Sequence, residues 1–207
     1  SHELLYTNVL QILDLGEIPL LRKERSGGDP IIIAGGECTS NPFPLSDFID
    51  LFFIGEGEEG FNEILKKLAA CKMLDMSRGE TIRALGEIEG VLLSEDYTFT
   101  YDGLSADISA MKPVSKRSTR DCLAWMASAP PVPNIRVSQE RAVVEIARGC
   151  FNLCKFCHAG YYNMPYRPCP HNDAAEEIFR QLDNTGYNEV TLNSLSSGDY
   201  REITALL

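Results

Sequence analysis

Two short, unbroken apolar runs, each closed by glycine and acid, limit what the first half of this chain can become. Pro30-Ile31-Ile32-Ile33-Ala34 leads into Gly35-Gly36-Glu37, and Asp50-Leu51-Phe52-Phe53-Ile54 leads into Gly55-Glu56-Gly57-Glu58-Glu59. A strand that is apolar on both faces must be covered on both, which is the pattern of a parallel sheet with helices packed over it. Helical spacing flanks these runs. Leu4, Leu5, Val9, Ile12 and Leu13 predict an amphipathic helix over 3–15 that ends near Gly16, and Phe61, Ile64, Leu65 and Leu68 predict another after the second run. Strand, glycine turn and helix in repetition predict an α/β fold with a parallel sheet. Turns at the carboxyl ends of such strands are where these folds bind ligands. The plainer alternative is that Gly35, Gly36, Gly55 and Gly57 only permit tight turns, and neither turn spells a dinucleotide-binding fingerprint. The run Glu56, Glu58, Glu59 reads as a solvated helix start favoured by the helix dipole.

A change of composition follows. Gly90-Val91-Leu92-Leu93 and Tyr97-Thr98-Phe99-Thr100-Tyr101 have strand composition, bounded by Ser94-Glu95-Asp96 and Asp102-Gly103, which suits a hairpin. Beyond it, Lys112-Pro113, Lys116-Arg117, Pro130, Pro131 and Pro133 favour extended, irregular chain. Residues 94–140 are therefore expected to be a linker with a hairpin, with Trp125 and Met126 as buried anchors.

The sharpest motif comes next. After a strand-like stretch, Ala142–Ala147, the sequence runs Gly149-Cys150-Phe151-Asn152-Leu153-Cys154-Lys155-Phe156-Cys157-His158. Three thiols spaced Cys-x3-Cys-x2-Cys in one short loop suit an iron–sulfur cluster, whose usual protein ligands are thiolates. Three ligands for a four-iron cube leave one iron open to a substrate or cofactor. The competing reading is a structural zinc site of Cys150, Cys154, Cys157 and His158. Against it, His158 is adjacent to Cys157, and no second Cys-x2-Cys pair occurs in the chain. The other four cysteines, Cys38, Cys71, Cys122 and Cys169, are scattered without pairing logic. Cys71 and Cys122 read as buried free thiols, and the set fits a reducing, cytoplasmic compartment.

The cysteine run resembles that of the radical S-adenosylmethionine (SAM) enzymes, whose three-cysteine loop follows the first strand of a (β/α) barrel. The resemblance implies a [4Fe–4S] cluster on Cys150, Cys154 and Cys157, with Phe156 lying along the adenine of SAM. In that family the open iron chelates the amino and carboxylate groups of SAM. An electron from the reduced cluster then breaks the S–C5′ bond and generates a 5′-deoxyadenosyl radical. A reductant such as flavodoxin or ferredoxin is the implied partner, and the substrate is open. The order of glycine pair, Gly-Glu-Gly-Glu turn, linker and cysteine strand is similar to the subgroup with an N-terminal cobalamin-binding, flavodoxin-like domain. There Gly35 and Gly36 would lie beside the corrinoid's nucleotide tail, making cobalamin a candidate cofactor and methyl transfer a candidate reaction. The Asp-x-His-x-x-Gly loop of that subgroup's base-off members has no match here, and the early histidine, His2, follows a serine that reads as a cloning remnant. An RNA methylthiotransferase of the same superfamily is a neighbouring alternative, and a non-catalytic metal-binding interaction module is another.

Downstream, Tyr161–Pro168 is expected to be irregular. Asp173 with Glu176 predicts a capping box opening a helix with Ile178, Phe179 and Leu182 inward, and Glu189–Asn193 predicts the next strand. After it, Ser196-Ser197-Gly198-Asp199 falls where the resemblance places a Gly-Gly-Glu motif, so Gly198 and Asp199 are candidate contacts for the amino group of SAM. An aspartate capping a helix is the alternative. His158 reads as a loop-stabilising residue, with a hydrogen bond to a cluster sulfide or the substrate as the alternative, and Arg148 as positive charge near an anionic cluster. His171 lies close in sequence, and Arg167 is a candidate partner for a carboxylate.

The expected organisation is thus the C-terminal part of a cobalamin-binding-like α/β domain over 1–93, a linker over 94–140, and the first βα units of a radical SAM barrel over 141–207. The expectation is an internal piece of a larger enzyme, inactive alone. At 207 residues there is room for two small cores. No apolar run reaches membrane-spanning length and no secretory pattern opens the chain, so no membrane partner is expected. The net charge of −11, without a long basic stripe, does not indicate a nucleic-acid partner for this segment.

Overall fold

The computed structural model describes residues 3–206 apart from 111, 112, 120, 122, 127, 128 and 136, and without the side chains of 98, 99, 106, 108–110 and 125. His2, Lys112, Cys122 and the Trp125 side chain therefore lie outside the described residues. The chain divides into two compact units, Ser1–Thr119 and Arg120–Leu207, and both are mixed α/β.

In the first unit the two apolar runs become β1 (Ile33–Gly35) and β2 (Leu51–Phe53), paired in parallel as their composition predicts. β2 is buried along its whole length, because apolar clusters cover both of its faces. One cluster holds Leu51, Phe53, Ile64, Leu85, Val91 and Leu93; the other holds Leu45, Ile49, Phe52 and Leu92. Each such fully buried side chain stabilises the fold by roughly 1.5–3 kcal/mol. The third strand differs from expectation. β3 (Val91–Leu93) pairs antiparallel with β2 instead of forming a hairpin with the run that follows. Its three residues are all apolar and all buried, so they are satisfied in the sheet core. The hairpin expected within 94–140 lies between β4 (Tyr97–Asp102) and β5 (Ser105–Ala110), turning at Gly103 with φ +59°.

Helix positions hold, but the buried faces shift. A 3-10 turn at Glu3–Leu5 precedes α1 (Tyr6–Leu15), which ends at Gly16 as expected. Its inward residues are Tyr6, Val9 and Leu13, while Leu4, Leu5 and Ile12 are exposed. α2 (Gly57–Met73) turns Gly60, Ile64 and Cys71 inward with Leu68 beside them, and leaves Phe61 and Leu65 about half exposed. Gly60 explains the rotation. A Cβ there would lie 2.2 Å from the Phe53 ring, so only glycine lets that ring sit against the helix. α3 (Arg78–Leu85) opens on a full capping box, in which Ser77 and Glu80 satisfy each other's backbone amides. The carboxyl of Glu80 is held below its usual range by the Ser77 hydroxyl.

The second unit contains the predicted strand–helix–strand unit. β6 (Ala142–Glu145) and β9 (Val190–Asn193) pair in parallel, and α5 (His171–Thr185) connects them. β7 (Ala147–Arg148) and β8 (Arg167–Pro168) form a short antiparallel ladder, so the segment expected to be wholly irregular ends in two ordered residues. Between them lies α4 (His158–Tyr162), and α6 (Ile203–Leu206) follows β9. Their core is Val144, Ile146, Ala147, Cys169, Ala174 and Tyr200, with Met126 packed against it as the predicted anchor.

The capping box expected at Asp173 and Glu176 does not form. α5 starts earlier, at His171, with Pro170 in the cap position and Asp173 inside the first turn. The buried face of α5 is consequently Ala174, Glu177 and Gln181, with Ile178 beside it, while Phe179 is 68% exposed. Gln181 Nε2 donates to Glu177 Oε1 at 2.8 Å, and the Arg180 guanidinium lies against the other carboxylate oxygen.

Candidate metal centre

The cysteine loop is set by its two ends. The β7–β8 ladder pairs Arg148 with Arg167, closing residues 149–166 into a loop on the carboxyl side of β6. Gly149 sits at the mouth with φ +82°, and a Cβ there would lie 2.6 Å from the carbonyl oxygens of both Asn163 and Pro165. Arg167 fastens those same carbonyls, its Nε donating to Pro165 O at 3.0 Å and its Nη2 to Asn163 O at 3.3 Å. Arg167 thus serves the loop's frame.

Within the loop, Leu153 turns the chain with φ +48°, a conformation bulky side chains seldom adopt. The Tyr161 hydroxyl holds that turn by donating to Leu153 O at 3.0 Å. The turn presents Cys154 outward, exposed, between the partly covered Cys150 and Cys157. Cys157 caps α4, its Sγ accepting from Gly160 N at 3.4 Å. Backbone donors to ligating sulfurs are a recognised way of tuning a cluster. Phe156 stands 92% exposed beside the last thiol. His158 packs its ring against Tyr162, with centroids 5.7 Å apart, in keeping with a role in stabilising the loop. The Arg148 guanidinium, expected to lend charge to a cluster, is held by both oxygens of Glu145 at 2.9 and 2.7 Å. His171 pairs with Glu202 at 3.0 Å.

The parallel pairing of β6 and β9 carries a consequence for chemistry. It sets the loop after β6 and the loop after β9 side by side, on the edge where parallel α/β folds place their ligands. There Asn152 Nδ2 donates to Asp199 Oδ2 at 2.6 Å, joining the cysteine loop to the Ser-Ser-Gly-Asp segment. Ser196 Oγ donates to the same oxygen at 2.7 Å. These hydrogen bonds, that from Ser196 first, hold the exposed Asp199 carboxyl below its usual range. Asp199 lies within a 3-10 turn, Ser197–Asp199, and so does not cap a helix. Gly198 is exposed, with open space where a Cβ would stand.

The donor set suits a thiolate-bound cluster: three free cysteines on one closed loop, reachable from solvent, with an amide directed at one sulfur. Among the described residues, no group of three or more His, Cys, Asp or Glu side chains is gathered tightly enough for a single metal ion. Beside the loop is a cavity of about 660 Å³ lined by Phe151, Tyr166, Pro168, Tyr200, Arg201 and Glu202. Phe151 meets Tyr166 edge to face at 5.0 Å. The sequence reading passed over Gly149, Asn152, Leu153 and Tyr161; of these, a glycine opening a loop carried a signal.

Tyr200 closes the floor of this region. Its hydroxyl donates to Cys169 O at 2.6 Å, and burial, helped by nearby Glu202, pushes its phenol up from 10.0 to about 12. The folded state therefore favours the neutral phenol. Its contribution to stability is complete below pH 10 and is lost as pH rises from 10 through about 12. The expected result is that Tyr200→Phe flattens the alkaline fall of unfolding free energy over that interval. Denaturant melts of the two proteins at pH 8, 10 and 11 measure it, and parallel pH profiles would refute it.

In the first unit, Gly36 has φ +106°, which glycine adopts freely, and Gly35 ends β1 with no atom within 4 Å of a would-be Cβ. Cys38 Sγ donates to Glu3 Oε2 at 3.3 Å, and burial with that bond raises its thiol pKa. Gly55, at φ +123°, is required by close backbone: a Cβ would lie 2.2 Å from Arg117 O. Arg117 in turn pairs with Glu59 and Glu63, which ties the acidic start of α2 to the chain after the hairpin.

The two units together make a mixed α/β chain. Residues 1–93 match the family model described as radical SAM proteins, N-terminal. A tRNA-2-methylthio-N(6)-dimethylallyladenosine synthase of Carboxydothermus hydrogenoformans is 27% identical over 176 residues, covering 77% of this chain and 40% of that protein. An uncharacterized protein of Methanocaldococcus jannaschii is 27% identical over 213 residues, covering 97% of this chain and 38% of its own length. A CDK5RAP1-like protein of Caenorhabditis elegans is 34% identical over 77 residues, covering 36% of this chain and 14% of that protein. The chain thus spans about two fifths of the first two relatives. No solved structure matches it. The family match supports the radical SAM superfamily. Among the described residues, no helix is long and apolar enough to cross a membrane.

Proposed function

We propose that this chain is part of a radical SAM enzyme in which Cys150, Cys154 and Cys157 hold a [4Fe–4S] cluster. The observation that carries the reading is the Asn152–Asp199 hydrogen bond at 2.6 Å, which joins the three-thiol loop to an anionic carboxylate at the carboxyl ends of two parallel strands. When bound, the cluster supplies a one-electron reductant at an iron left open by the three-thiol set. Around it, the closed loop carries the three cysteines, Cys154 exposed and Cys150 and Cys157 partly covered, Gly160 N–H donates to the sulfur of Cys157, and Phe156 offers an exposed ring for an adenine. Asp199, ionised at neutral pH, receives the α-ammonium of SAM, with Gly198 leaving the approach open. The aromatic cavity beside Phe151 is the nearest space for a substrate.

Two outcomes of the shared chemistry are separable. Methylthio transfer to RNA is favoured by the synthase that aligns with 77% of the chain. Cobalamin-linked methyl transfer rests on the glycine pair Gly35-Gly36, and neither the matched family's description nor the relatives' names refer to a corrinoid. The test is anaerobic reconstitution of the full-length protein with iron and sulfide, followed by dithionite and SAM. A brown protein that forms 5′-deoxyadenosine is expected. A colourless protein that binds zinc and forms none would favour a structural metal module instead. Corrinoid retention and methylthio-nucleoside formation on added tRNA then distinguish the two outcomes.

A further inference from the structure

We propose that Asn152 is a positioning residue that fixes where a cluster-bound ligand's ammonium group is held, by locking the Asp199 carboxylate to the cysteine loop; the inference rests on the functional reading above. Asn152 lies between Cys150 and Cys154, so its backbone moves with the thiols. Its amide spans to a residue 47 positions away and meets Asp199 Oδ2 at 2.6 Å. Ser196 Oγ reaches that same oxygen from the other side of the loop after β9, at 2.7 Å.

The rest of that loop is braced independently. Ser194 Oγ and Ser197 Oγ are 3.0 Å apart, and Ser197 Oγ donates to Leu192 O at 3.1 Å. Asp199 is therefore held at two levels: Ser196 sets its rotamer within its own loop, and Asn152 sets its place relative to the thiols. Both donors fall on Oδ2, so Oδ1 is the oxygen offered to a cation. A carboxylate aimed this way has its orientation fixed before the ligand arrives, which is how a single side chain converts geometry into affinity. A loop asparagine with no ligand role of its own is suited to this work, because its amide donates and adds no charge beside an anionic cluster.

The experiment uses the reconstituted full-length protein and the variants Asn152→Ala and Asn152→Asp. Four quantities are read: iron and sulfide per chain, the dissociation constant for SAM, the change in the reduced cluster's electron paramagnetic resonance spectrum on adding SAM, and binding of the sulfonium analogue lacking the α-amino group. Asn152→Ala is expected to keep its iron and to bind SAM about tenfold more weakly, a change of about 1.4 kcal/mol. It should bind the amino-less analogue as the wild type does. Asn152→Asp is expected to weaken SAM further, since two carboxylates then repel across the same gap. Equal weakening toward SAM and the analogue, unchanged binding of both, or loss of iron would each overturn the inference. A wild-type protein that loads no cluster or ignores SAM overturns the functional reading itself, and this inference with it.

Discussion

Alanine at Gly149 is expected to abolish the proposed cluster as surely as alanine at Cys150. Removing Cys150 deletes a ligand. Gly149→Ala deletes none, yet it places a methyl group 2.6 Å from two backbone carbonyl oxygens, Asn163 O and Pro165 O. Neither can yield easily, because Arg167 hydrogen-bonds both. The substitution also forces alanine into φ +82°, a left-handed conformation that costs an L-residue about 1–2 kcal/mol. The loop mouth must therefore open, and the thiols move with it. Iron content is expected to fall to about a tenth of wild type or below, the ratio produced by about 1.4 kcal/mol of displaced equilibrium. Gly103→Ala is the control, since Gly103 also has positive φ but nothing within 4 Å of a would-be Cβ. Full iron loading in Gly149→Ala, with an unaltered visible spectrum, would show that the loop does not depend on this close approach.

These two glycines show where sequence reasoning stops. A strand run such as Leu51–Phe53 is legible because burial on both faces writes a continuous apolar signal. The cysteine spacing is legible because coordination chemistry fixes residue type and separation together. What a glycine is for depends on what approaches it, and Gly149, Gly60 and Gly55 are met by residues 14 or more, 7 and 62 positions away. No local pattern carries that information.

Helix faces are hidden from the sequence for a related reason. Phe61 and Leu65 have the composition of a core stripe, but the Phe53 ring needs the space at Gly60, and this rotates α2 so that both are about half exposed. At α5 the sequence offers an acid pair at capping-box spacing, yet Pro170 starts the helix earlier and leaves Asp173 inside it. The capping box that does form, Ser77 with Glu80, has the same spacing. Spacing alone does not choose between them; the chain direction entering the helix does. At the candidate site, Asp199 was reachable by reasoning from position after the second strand. Asn152 was not, because a polar residue in a thiol loop has no signature until its partner on the neighbouring strand's loop is in place.

Asp50→Ala is expected to remove a large share of the stability of the first unit, although Asp50 lies outside the candidate site. Its Oδ2 atom accepts from Arg25 Nη1 at 3.0 Å, Arg78 Nη2 at 2.7 Å and the Ile32 amide at 2.8 Å. Arg25 is itself buried, and donates further to the carbonyls of Pro19, Leu20 and Phe48. Arg78 also donates to Asp29 O, so one carboxylate ties together the chain before β1, the entries to β1 and β2, and the start of α3. Deleting it leaves a buried guanidinium without its counter-charge, a change that typically destabilises by about 3–5 kcal/mol. Against a total of about 5–15 kcal/mol for a domain, that is decisive. Asn at this position keeps an acceptor but loses the charge, so it should fall between wild type and alanine. The measurement is denaturant unfolding with hydrogen exchange read at residues 51–53, which are buried and report on this sheet. Unchanged protection there in Asp50→Ala would mean that the surrounding carbonyls hold both arginines without help from the carboxylate.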